Sequence, residues 1–157
     1  MAHELDIEAV HRRYLAMLRG CALRILGNAA AAQDVAQDSF VKLLEQRRRC
    51  LREENTAAFL YRVATNLALN RLRDAKRRHE LEVQNPPAAA MDDLADRLSL
   101  RRIIGLVGTD VATVAVYYYV EGLEQEEIAE LLGMERRTVG RRLERFRADA
   151  QRLLGAR

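Results

Sequence analysis

The chain has 157 residues, a formal net charge of +3 and 31% charged residues. Its 49% hydrophobic content, 8 glycines and 2 prolines exclude a disordered chain, collagen and most all-β folds, and they favour helices. The two cysteines, Cys21 and Cys50, form neither a disulfide framework nor a zinc-ligand spacing. No signal-peptide pattern opens the chain, and its longest apolar run is too short to span a membrane, so the expected compartment is the reducing cytoplasm.

Two helices are predicted in the N-terminal part. Asp6 is a good N-cap for the first, whose apolar residues recur at helical spacing as far as Leu26, and Gly27 can end it. Asn28 can cap a second helix that runs to about Gln46. The residues between this helix and the next are polar and indicate a loop.

The second predicted helix has one acidic side. Ala36, Phe40 and Leu43 lie on its apolar side, which can pack inward. In a basic protein, an acidic stripe is either solvated surface or a docking face for a basic protein partner, and charge alone favours neither. The residues of this acidic stripe are Asp34, Gln37, Asp38, Val41 and Glu45.

The third predicted helix starts at a cap formed by Asn55 or Thr56 and continues to about His79. At 100° per residue, two amides, three arginines and one aromatic ring share a narrow arc of its surface. Amides bind base edges, arginines hold phosphates and an aromatic ring stacks on an unpaired base, so the arc is typical of a nucleic-acid reader; a plain solvated face is the alternative. This amide stripe comprises Phe59, Arg62, Asn66, Asn70, Arg73 and Arg77, with Leu60, Val63, Leu67 and Leu72 on the opposite, inward side.

A domain boundary is predicted at Pro86 and Pro87, which hold the only prolines of the chain. The stretch 80–97 carries five acidic residues and one basic residue, a net charge of −4 inside a basic protein. A double proline also interrupts a helix. The expected organisation is a first domain over 1–80, an acidic linker over 81–97 and a second domain over 98–157.

The second domain begins with a weakly helical stretch to Leu106 and a turn bracketed by Gly105 and Gly108. The segment Val111–Val120 has the highest strand propensity in the chain. No other segment is predicted as a strand that could pair with it, and an isolated strand cannot satisfy its backbone hydrogen-bonding groups. We therefore predict a buried helix here, against the local preference.

The segment from Gln125 to Glu144 has the pattern of a helix-turn-helix. A small residue, Ala129, lies where the two helices would cross, Gly133 permits a turn with a positive backbone angle, and Val139 can anchor the second helix on the first. The second helix is strongly basic, which indicates either a helix that enters the major groove or a solvated basic helix of a bundle. The residues expected to face DNA bases are Arg136, Arg137, Gly140 and Arg141, and those expected to face phosphates are Arg142, Arg145 and Arg147.

Three blocks of this sequence resemble the bacterial sigma factors of the extracytoplasmic-function (ECF) group. Asp34–Phe40 and Ala58–Ala68 are similar to the signatures of that family's domain 2. Glu121–Gly133, with the following Thr138 and Val139, is similar to its domain 4. The blocks occur in the family's order with an acidic linker between them, which makes the resemblance more specific than any one block.

The resemblance implies an all-α protein of two small helical domains, joined by an acidic, proline-containing linker, with the helix-turn-helix at the end of the second. It implies a promoter-specificity subunit without catalysis, cofactor or metal of its own. Its partners would be core RNA polymerase, promoter DNA and an anti-sigma factor, with no membrane insertion. In the holoenzyme it would be associated with the nucleoid.

The resemblance also implies a role for each surface. The acidic stripe would dock on the clamp helices of the polymerase β′ subunit, and the linker would pass near the RNA exit path. The loop from about Arg47 to Thr56 and the amide stripe would capture a flipped base of the −10 element, a step that unstacks a base and needs an aromatic face with amides nearby. The helix-turn-helix would read the −35 element and touch the β flap.

The sequence departs from the family pattern at several positions. The Leu-Pro that usually opens domain 4 is absent from Val107–Asp110, Phe59 stands where tryptophan is common, and Glu124 and Glu135 stand where small caps are usual. Gly140 occupies a position where lysine is common, which removes one base-reading side chain and costs about 1 kcal/mol relative to alanine. These departures leave the −35 preference open.

Three other functions are weighed against this interpretation. A free-standing helix-turn-helix regulator would explain the C-terminal pattern but needs neither the amide stripe nor the acidic stripe. A sigma-like adaptor that no longer initiates transcription would explain the departures in domain 4. An enzyme is disfavoured, because no phosphate-binding loop, catalytic triad or metal-ligand spacing is present.

Overall fold

The computed structural model describes residues 5–46, 53–82 and 92–155. Every regular element within these ranges is helical, which confirms the all-α prediction. The chain divides into two compact units, Met1–Ala68 and Leu69–Arg157. The predicted polar loop after Gln46, together with Cys50, and the double proline lie outside the described residues.

The first unit consists of α1 (Ile7–Leu26), α2 (Ala29–Gln46) and the first part of α3 (Glu53–Glu82). The predicted bounds of α1 and α2 are confirmed, because the predicted capping residues occupy the helix ends. The Asp6 carboxylate accepts hydrogen bonds from two backbone N–H groups of the first turn of α1, at 3.1 Å each. These bonds satisfy donors that a helix N-terminus otherwise leaves unpaired.

The turn between α1 and α2 requires a glycine. Gly27 has φ 68°, a left-handed conformation that a side chain disfavours, and its N–H donates to the Leu23 carbonyl at 2.8 Å. Asn28 follows at once, and its side-chain oxygen accepts from the N–H of Ala31 at 2.9 Å. One helix therefore ends and the next begins within two residues, which makes α1 and α2 an antiparallel pair.

The core of the first unit is formed by one face of each helix. The Cys21 thiol of α1 lies 3.7 Å from the Thr65 hydroxyl of α3, and that hydroxyl donates to the Tyr61 carbonyl at 2.8 Å. Both side chains are buried, so Cys21 is a core residue. The fully buried residues around them are Leu18, Ala22, Val35, Ala36, Leu43, Leu60, Ala64 and Ala68.

Helix α3 differs from its prediction at both ends and on its inward face. It begins at Glu53, two residues before the expected cap Asn55, and continues to Glu82. Acidic residues in a first turn interact favourably with the helix dipole, which explains the earlier start. Of the four residues expected to point inward, Leu60 is buried, whereas Val63, Leu67 and Leu72 are half-buried. The inward face instead includes small buried residues at helical spacing, Ala64 and Ala68.

The second unit contains the end of α3 and four further α-helices. Helix α4 begins at Asp92, inside the predicted linker, and ends at Leu106 as predicted. The chain then turns at Val107 and Gly108, within the turn predicted between Gly105 and Gly108. The helices are α4 (Asp92–Leu106), α5 (Thr109–Ala115), α6 (Gln125–Leu132) and α7 (Arg136–Gly155).

The segment with high strand propensity is helical and buried, as predicted. Helix α5 continues directly into a π-helical turn, Val116–Val120, in which the N–H of Glu121 donates to the Val116 carbonyl at 3.0 Å. Val116 and Tyr117 are fully buried. Burial of this apolar run against α7 outweighs its weak helix propensity, because each buried large side chain contributes on the order of 1.5–3 kcal/mol.

The end of α3 supports the end of α4 within the second unit. The Lys76 ammonium donates to the Arg102 carbonyl at 2.7 Å, and the Arg73 guanidinium donates to the Val107 carbonyl at 2.7 Å. Both cations lie at the C-terminal end of α4, where positive charge interacts favourably with the helix dipole, and Arg73 binds the carbonyl of the residue that follows the helix. Gly105 permits the close approach, because a Cβ there would lie 3.3 Å from the Lys76 side chain.

Candidate nucleic-acid interface

Helices α6 and α7 form the predicted helix-turn-helix. Gly133 ends α6 with φ 63°, and the N–H of the next residue, Met134, donates to the Ala129 carbonyl at 3.0 Å. Val139 is fully buried and Ala129 is 8% exposed, so the crossing point and the anchor of the second helix are as predicted. The turn is therefore rigid, and it holds the first turn of α7 at the protein surface.

An acidic residue caps α6 where the family pattern has a small residue. The carboxylate of Glu127 reaches back and accepts a hydrogen bond from the N–H of Glu124 at 2.7 Å. This is the acceptor arm of a capping box, and it satisfies a donor at the helix entry. The absence of a small cap therefore leaves the N-terminus of α6 well defined.

Two arginines on the first half of α7 are exposed and available for a ligand. Arg137 and Arg141 have no ion-pair or hydrogen-bond partner among the described residues. They border an open cleft of about 460 Å³ on the exposed side of α7. Its lining residues are Gln125, Arg136, Arg137, Gly140, Arg141 and Glu144. All four residues predicted to face bases thus line one concave surface.

The other arginines of α7 have partners within the second unit. Their side chains are held along the helix, yet a guanidinium has five N–H donors and keeps some for a phosphate. The Arg136 guanidinium is 2.7 Å from the Glu126 carboxylate, and the Arg142 guanidinium is 3.9 Å from the Asp110 carboxylate. The guanidinium groups of Arg145 and Arg152 lie 3.3 Å and 3.1 Å, respectively, from the Asp149 carboxylate. Arg147 donates a hydrogen bond to the Tyr119 hydroxyl at 3.2 Å. Among the described residues, two arginines of α7 therefore have no partner and five have one.

Gly140 weakens α7 without any steric need for glycine. A Cβ at this position would meet only the side-chain oxygen of Gln125, at 3.6 Å, which is ordinary van der Waals contact. We expect Gly140→Ala to raise the free energy of unfolding by up to about 1 kcal/mol, because alanine loses less backbone entropy in a helix. Chemical denaturation of the full chain measures this change.

Gly133→Ala is the matched control for that variant. Gly133 has φ 63°, so alanine there is expected to destabilise by about 1 kcal/mol although a Cβ would meet open space. Equal changes in the free energy of unfolding for the two variants, in sign and size, would contradict the assignment of left-handed backbone strain to position 133 alone.

The first half of the amide stripe belongs to the first unit. Asn66 is exposed, and its amide has no hydrogen-bond partner within the part of the chain that the structure describes. Arg62 and Phe59 lie on the same helix one and two turns earlier, respectively, and are half-buried. An exposed amide beside a partly exposed aromatic ring can hold and stack on an unpaired base.

The second half of the amide stripe belongs to the second unit, and its members differ. Asn70 and Arg77 are exposed and have no partner among residues 5–46, 53–82 and 92–155. Arg73 is half-buried and donates to Thr109 as well as to the Val107 carbonyl. Its guanidinium therefore contributes to the end of α4, and only its remaining donors are available for a phosphate.

The acidic stripe of α2 is at the surface of the first unit. Asp34, Gln37 and Glu45 are exposed and Asp38 is half-buried, and Glu45 pairs with Lys42 at 3.0 Å. Its apolar member, Val41, is 50% exposed. Sequence reasoning missed a neighbour, Leu44, which is 46% exposed and three residues further along the helix. An apolar pair bordered by acidic groups is typical of a protein-docking surface.

No cluster of three or more histidine, cysteine, aspartate or glutamate side chains in the described ranges is arranged to hold a metal ion. No helix in those ranges combines the length and the apolarity that crossing a membrane requires.

Two protein families match this chain. Sigma-70 region 2 matches residues 10–78, which include α1, α2 and most of α3. Sigma-70, region 4 matches residues 97–149, which include the helix-turn-helix. The two ranges together span well over half of the sequence.

Proteins from two bacteria are similar to this chain, each with 26% identity over the aligned residues. RfaY of Xanthomonas campestris pv. campestris, described as a probable RNA polymerase sigma factor, is 26% identical over 143 residues, which cover 83% of this chain and 36% of RfaY. The ECF RNA polymerase sigma factor SigW of Bacillus subtilis is 26% identical over 148 residues, which cover 83% of this chain and 79% of SigW. The chain therefore spans about a third of one relative and most of the other.

Two solved structures share the fold. The sigma factor RpoE from Bartonella quintana, crystallised with the anti-sigma factor NepR, has a TM-score of 0.54 and 20% identity, covering 96% of this chain and 98% of RpoE. CnrH in complex with the cytosolic domain of CnrY has a TM-score of 0.58 and 23% identity, covering 96% of this chain and 88% of CnrH.

Proposed function

The chain belongs to the sigma-70 family, and from this premise we propose that it is a promoter-specificity subunit of the ECF group. It binds core RNA polymerase, recognises the −10 and −35 promoter elements and helps to open the DNA for transcription initiation. It carries out no covalent chemistry itself, because the polymerase forms the phosphodiester bonds. It acts in the cytoplasm, where the polymerase and the chromosome are.

The observation that carries this proposal is the pair Arg137 and Arg141. They lie on the first half of the second helix of a helix-turn-helix, exposed and without partners among the described residues. This is the part of such a helix that reaches base edges in the major groove, and arginine binds guanine there through two hydrogen bonds. We assign them to reading the −35 element, and we assign Arg142 and Arg145 to phosphates beside it.

The two surfaces of the N-terminal part have different roles. The amide stripe captures a base of the −10 element, with Asn66 and Asn70 binding base edges and Phe59 stacking. The acidic stripe and its apolar member Val41 dock on the β′ clamp helices of the polymerase. The first domain, 1–80, docks on the polymerase and binds the −10 element, and the second domain, 98–157, binds the −35 element. The acidic linker, 81–97, connects the two. The β flap is the expected contact of the second domain.

An anti-sigma factor is proposed as a further partner. One protein of the same fold, RpoE, was crystallised with the anti-sigma factor NepR, and another, CnrH, has a structure in complex with the cytosolic domain of CnrY. A partner of this kind would cover the surfaces that otherwise bind polymerase. The test is whether a neighbouring gene product blocks assembly with core polymerase.

The experiment that tests the function is assembly followed by transcription. The purified chain is mixed with bacterial core polymerase, separated by gel filtration, and used for run-off transcription from a genomic library. A stoichiometric complex with defined start sites is the expected result, and aligned start sites give both promoter elements. A complex without transcripts would identify a sigma-like adaptor. Salt-sensitive DNA binding by the chain alone, without a complex, would identify a free-standing regulator.

Asn66→Ala and Phe59→Ala are expected to weaken promoter opening while leaving assembly with polymerase intact. Asn66 is exposed, so its replacement removes only a contact to a flipped base, whereas Phe59 is half-buried and its replacement also removes some packing within the first unit. A stacked base contributes on the order of 1–3 kcal/mol, which predicts about a fivefold or greater loss of open complex. Permanganate reactivity of unpaired thymines measures it.

Val41→Asp is the matched control for those two variants. Val41 is 50% exposed, so the fold tolerates a charge there, but the docking surface loses its apolar contact. We expect this variant to lose assembly with polymerase. The opposite pattern, in which Asn66→Ala loses assembly and Val41→Asp does not, would show that the two surfaces are reversed.

A further inference from the structure

The glycine on the DNA-facing side of α7 leaves a gap that a side chain from α6 occupies. Gly140 is half-buried although it lies on the face predicted to meet DNA. The atom nearest to the position its Cβ would take is the side-chain oxygen of Gln125, at 3.6 Å. Gln125 is the first residue of α6, so its side chain crosses from one helix of the motif to the other.

Two interactions of neighbouring residues define the backbone around Gln125. The bond from the Glu124 N–H to Glu127 closes the turn of α6 in which Gln125 lies. The carboxylate of Glu126, the next residue, is 2.7 Å from the Arg136 guanidinium at the start of α7. The first turns of the two helices are thus joined directly beside the glutamine.

The Gln125 amide is available for a ligand. It lines the same open cleft as Arg137 and Arg141. No hydrogen-bond partner of this amide is found among the residues that the structure describes. A carboxamide offers one acceptor and two donors side by side, the pattern that binds N6 and N7 of adenine in the major groove.

We infer that Gln125 is a specificity-determining residue, whose amide lies over Gly140 and reads an adenine of the −35 element in place of a side chain at position 140. This inference rests on the proposed function, because it needs the helix-turn-helix to lie on promoter DNA. It also gives the glycine a role: a long side chain at 140 would have to displace the amide. The base-reading group lost from α7 is thereby supplied by α6.

The test uses holoenzyme reconstituted from core polymerase and the full chain, with a promoter library randomised across the −35 element. Binding is sequenced for the unchanged chain, Gln125→Ala, Gln125→Glu and the control Gln151→Ala, an exposed glutamine near the end of α7. We expect the unchanged chain to prefer adenine at one base pair, and Gln125→Ala to reduce that preference by about fivefold or more while other positions keep theirs. Gln125→Glu should shift the preference at that base pair towards cytosine, because a carboxylate accepts from its N4 amino group.

Other outcomes overturn the inference in distinguishable ways. If the unchanged holoenzyme selects a −35 sequence and Gln125→Ala selects the same one, Gln125 does not read a base while the proposed function stands. A uniform loss of binding by Gln125→Ala, together with a lowered unfolding midpoint, would make it a structural residue. If the unchanged holoenzyme selects no −35 sequence, both the inference and the proposed −35 reading are wrong.

Discussion

Arg141→Ala in the holoenzyme is expected to lower discrimination between the preferred −35 sequence and single-base variants by about 1–3 kcal/mol at one base pair, and Arg137→Ala to do the same at a neighbouring one. Both guanidinium groups are exposed and have no partner among the described residues. Each can therefore direct both of its parallel N–H groups at one guanine without first breaking an ion pair. Competition binding between promoter duplexes measures the discrimination.

Arg145→Ala is the control for this result. Arg145 is held 3.3 Å from Asp149, two turns beyond the first turn of α7, and is assigned to a phosphate. Its removal should weaken all promoters alike and reduce the slope of log affinity against log salt by about one. A uniform loss of affinity in Arg137→Ala and Arg141→Ala, with no change in base preference, would make them phosphate contacts as well. The −35 readout would then have to come from other residues of the cleft.

Leu143→Ala is expected to destabilise the second unit by about 2–5 kcal/mol, the largest stability effect that we predict. Leu143 is fully buried on the inner side of α7, where this helix packs against α5 and α6. Alanine there removes apolar contacts and leaves a cavity that helices fixed by tight turns cannot close. Thermal and urea unfolding of the full chain measure the loss, and tyrosine fluorescence is weighted towards this unit because three of the five tyrosines, Tyr117, Tyr118 and Tyr119, lie in it.

Leu154→Ala separates that effect from a general sensitivity of α7. Leu154 lies near the end of the same helix and is 52% exposed, so its replacement should change the unfolding free energy by less than about 0.5 kcal/mol. Similar losses in the two variants would contradict the assignment of Leu143 to the core. A loss of −35 binding in Leu143→Ala at temperatures where the unit remains folded would show that α7 shifts to fill the cavity.

Arg73 differs from the exposed residues of the amide stripe because its guanidinium is hydrogen-bonded within the protein. Its guanidinium donates to the Val107 carbonyl at 2.7 Å and to Thr109, so it stabilises the junction of α4 and α5 in this structure. A contact between Arg73 and promoter DNA would have to share these donors or replace them. Effects of Arg73 variants on transcription are therefore expected to combine a stability change with any change in DNA binding.

Much of the fold follows from local rules that act over three or four residues. The caps at Asp6 and Asn28 and the left-handed glycines at 27 and 133 set helix ends correctly, because a cap satisfies its own helix's N–H groups and a glycine accepts a positive φ wherever it stands. The buried helix over Val111–Val120 required a global argument, namely the lack of any strand to pair with it. Helix starts without a strong signal were predicted less well: α3 begins two residues before the expected cap, and α4 begins at Asp92, inside the predicted linker.

The sequence by itself determined that the chain is helical, that it contains a helix-turn-helix, and which residues line the faces of α2 and α7, since helical periodicity and capping are local properties. Only the tertiary structure decided which cations pair with residues in distant parts of the chain, whereas pairs within one helix, such as Arg145 with Asp149, lie at a spacing that the sequence already contains. Arg73 meets Val107, 34 residues away, and Arg147 meets Tyr119, 28 residues away. The position of the Gln125 amide over Gly140 depends in the same way on how α6 crosses α7, which no periodicity along either helix can specify.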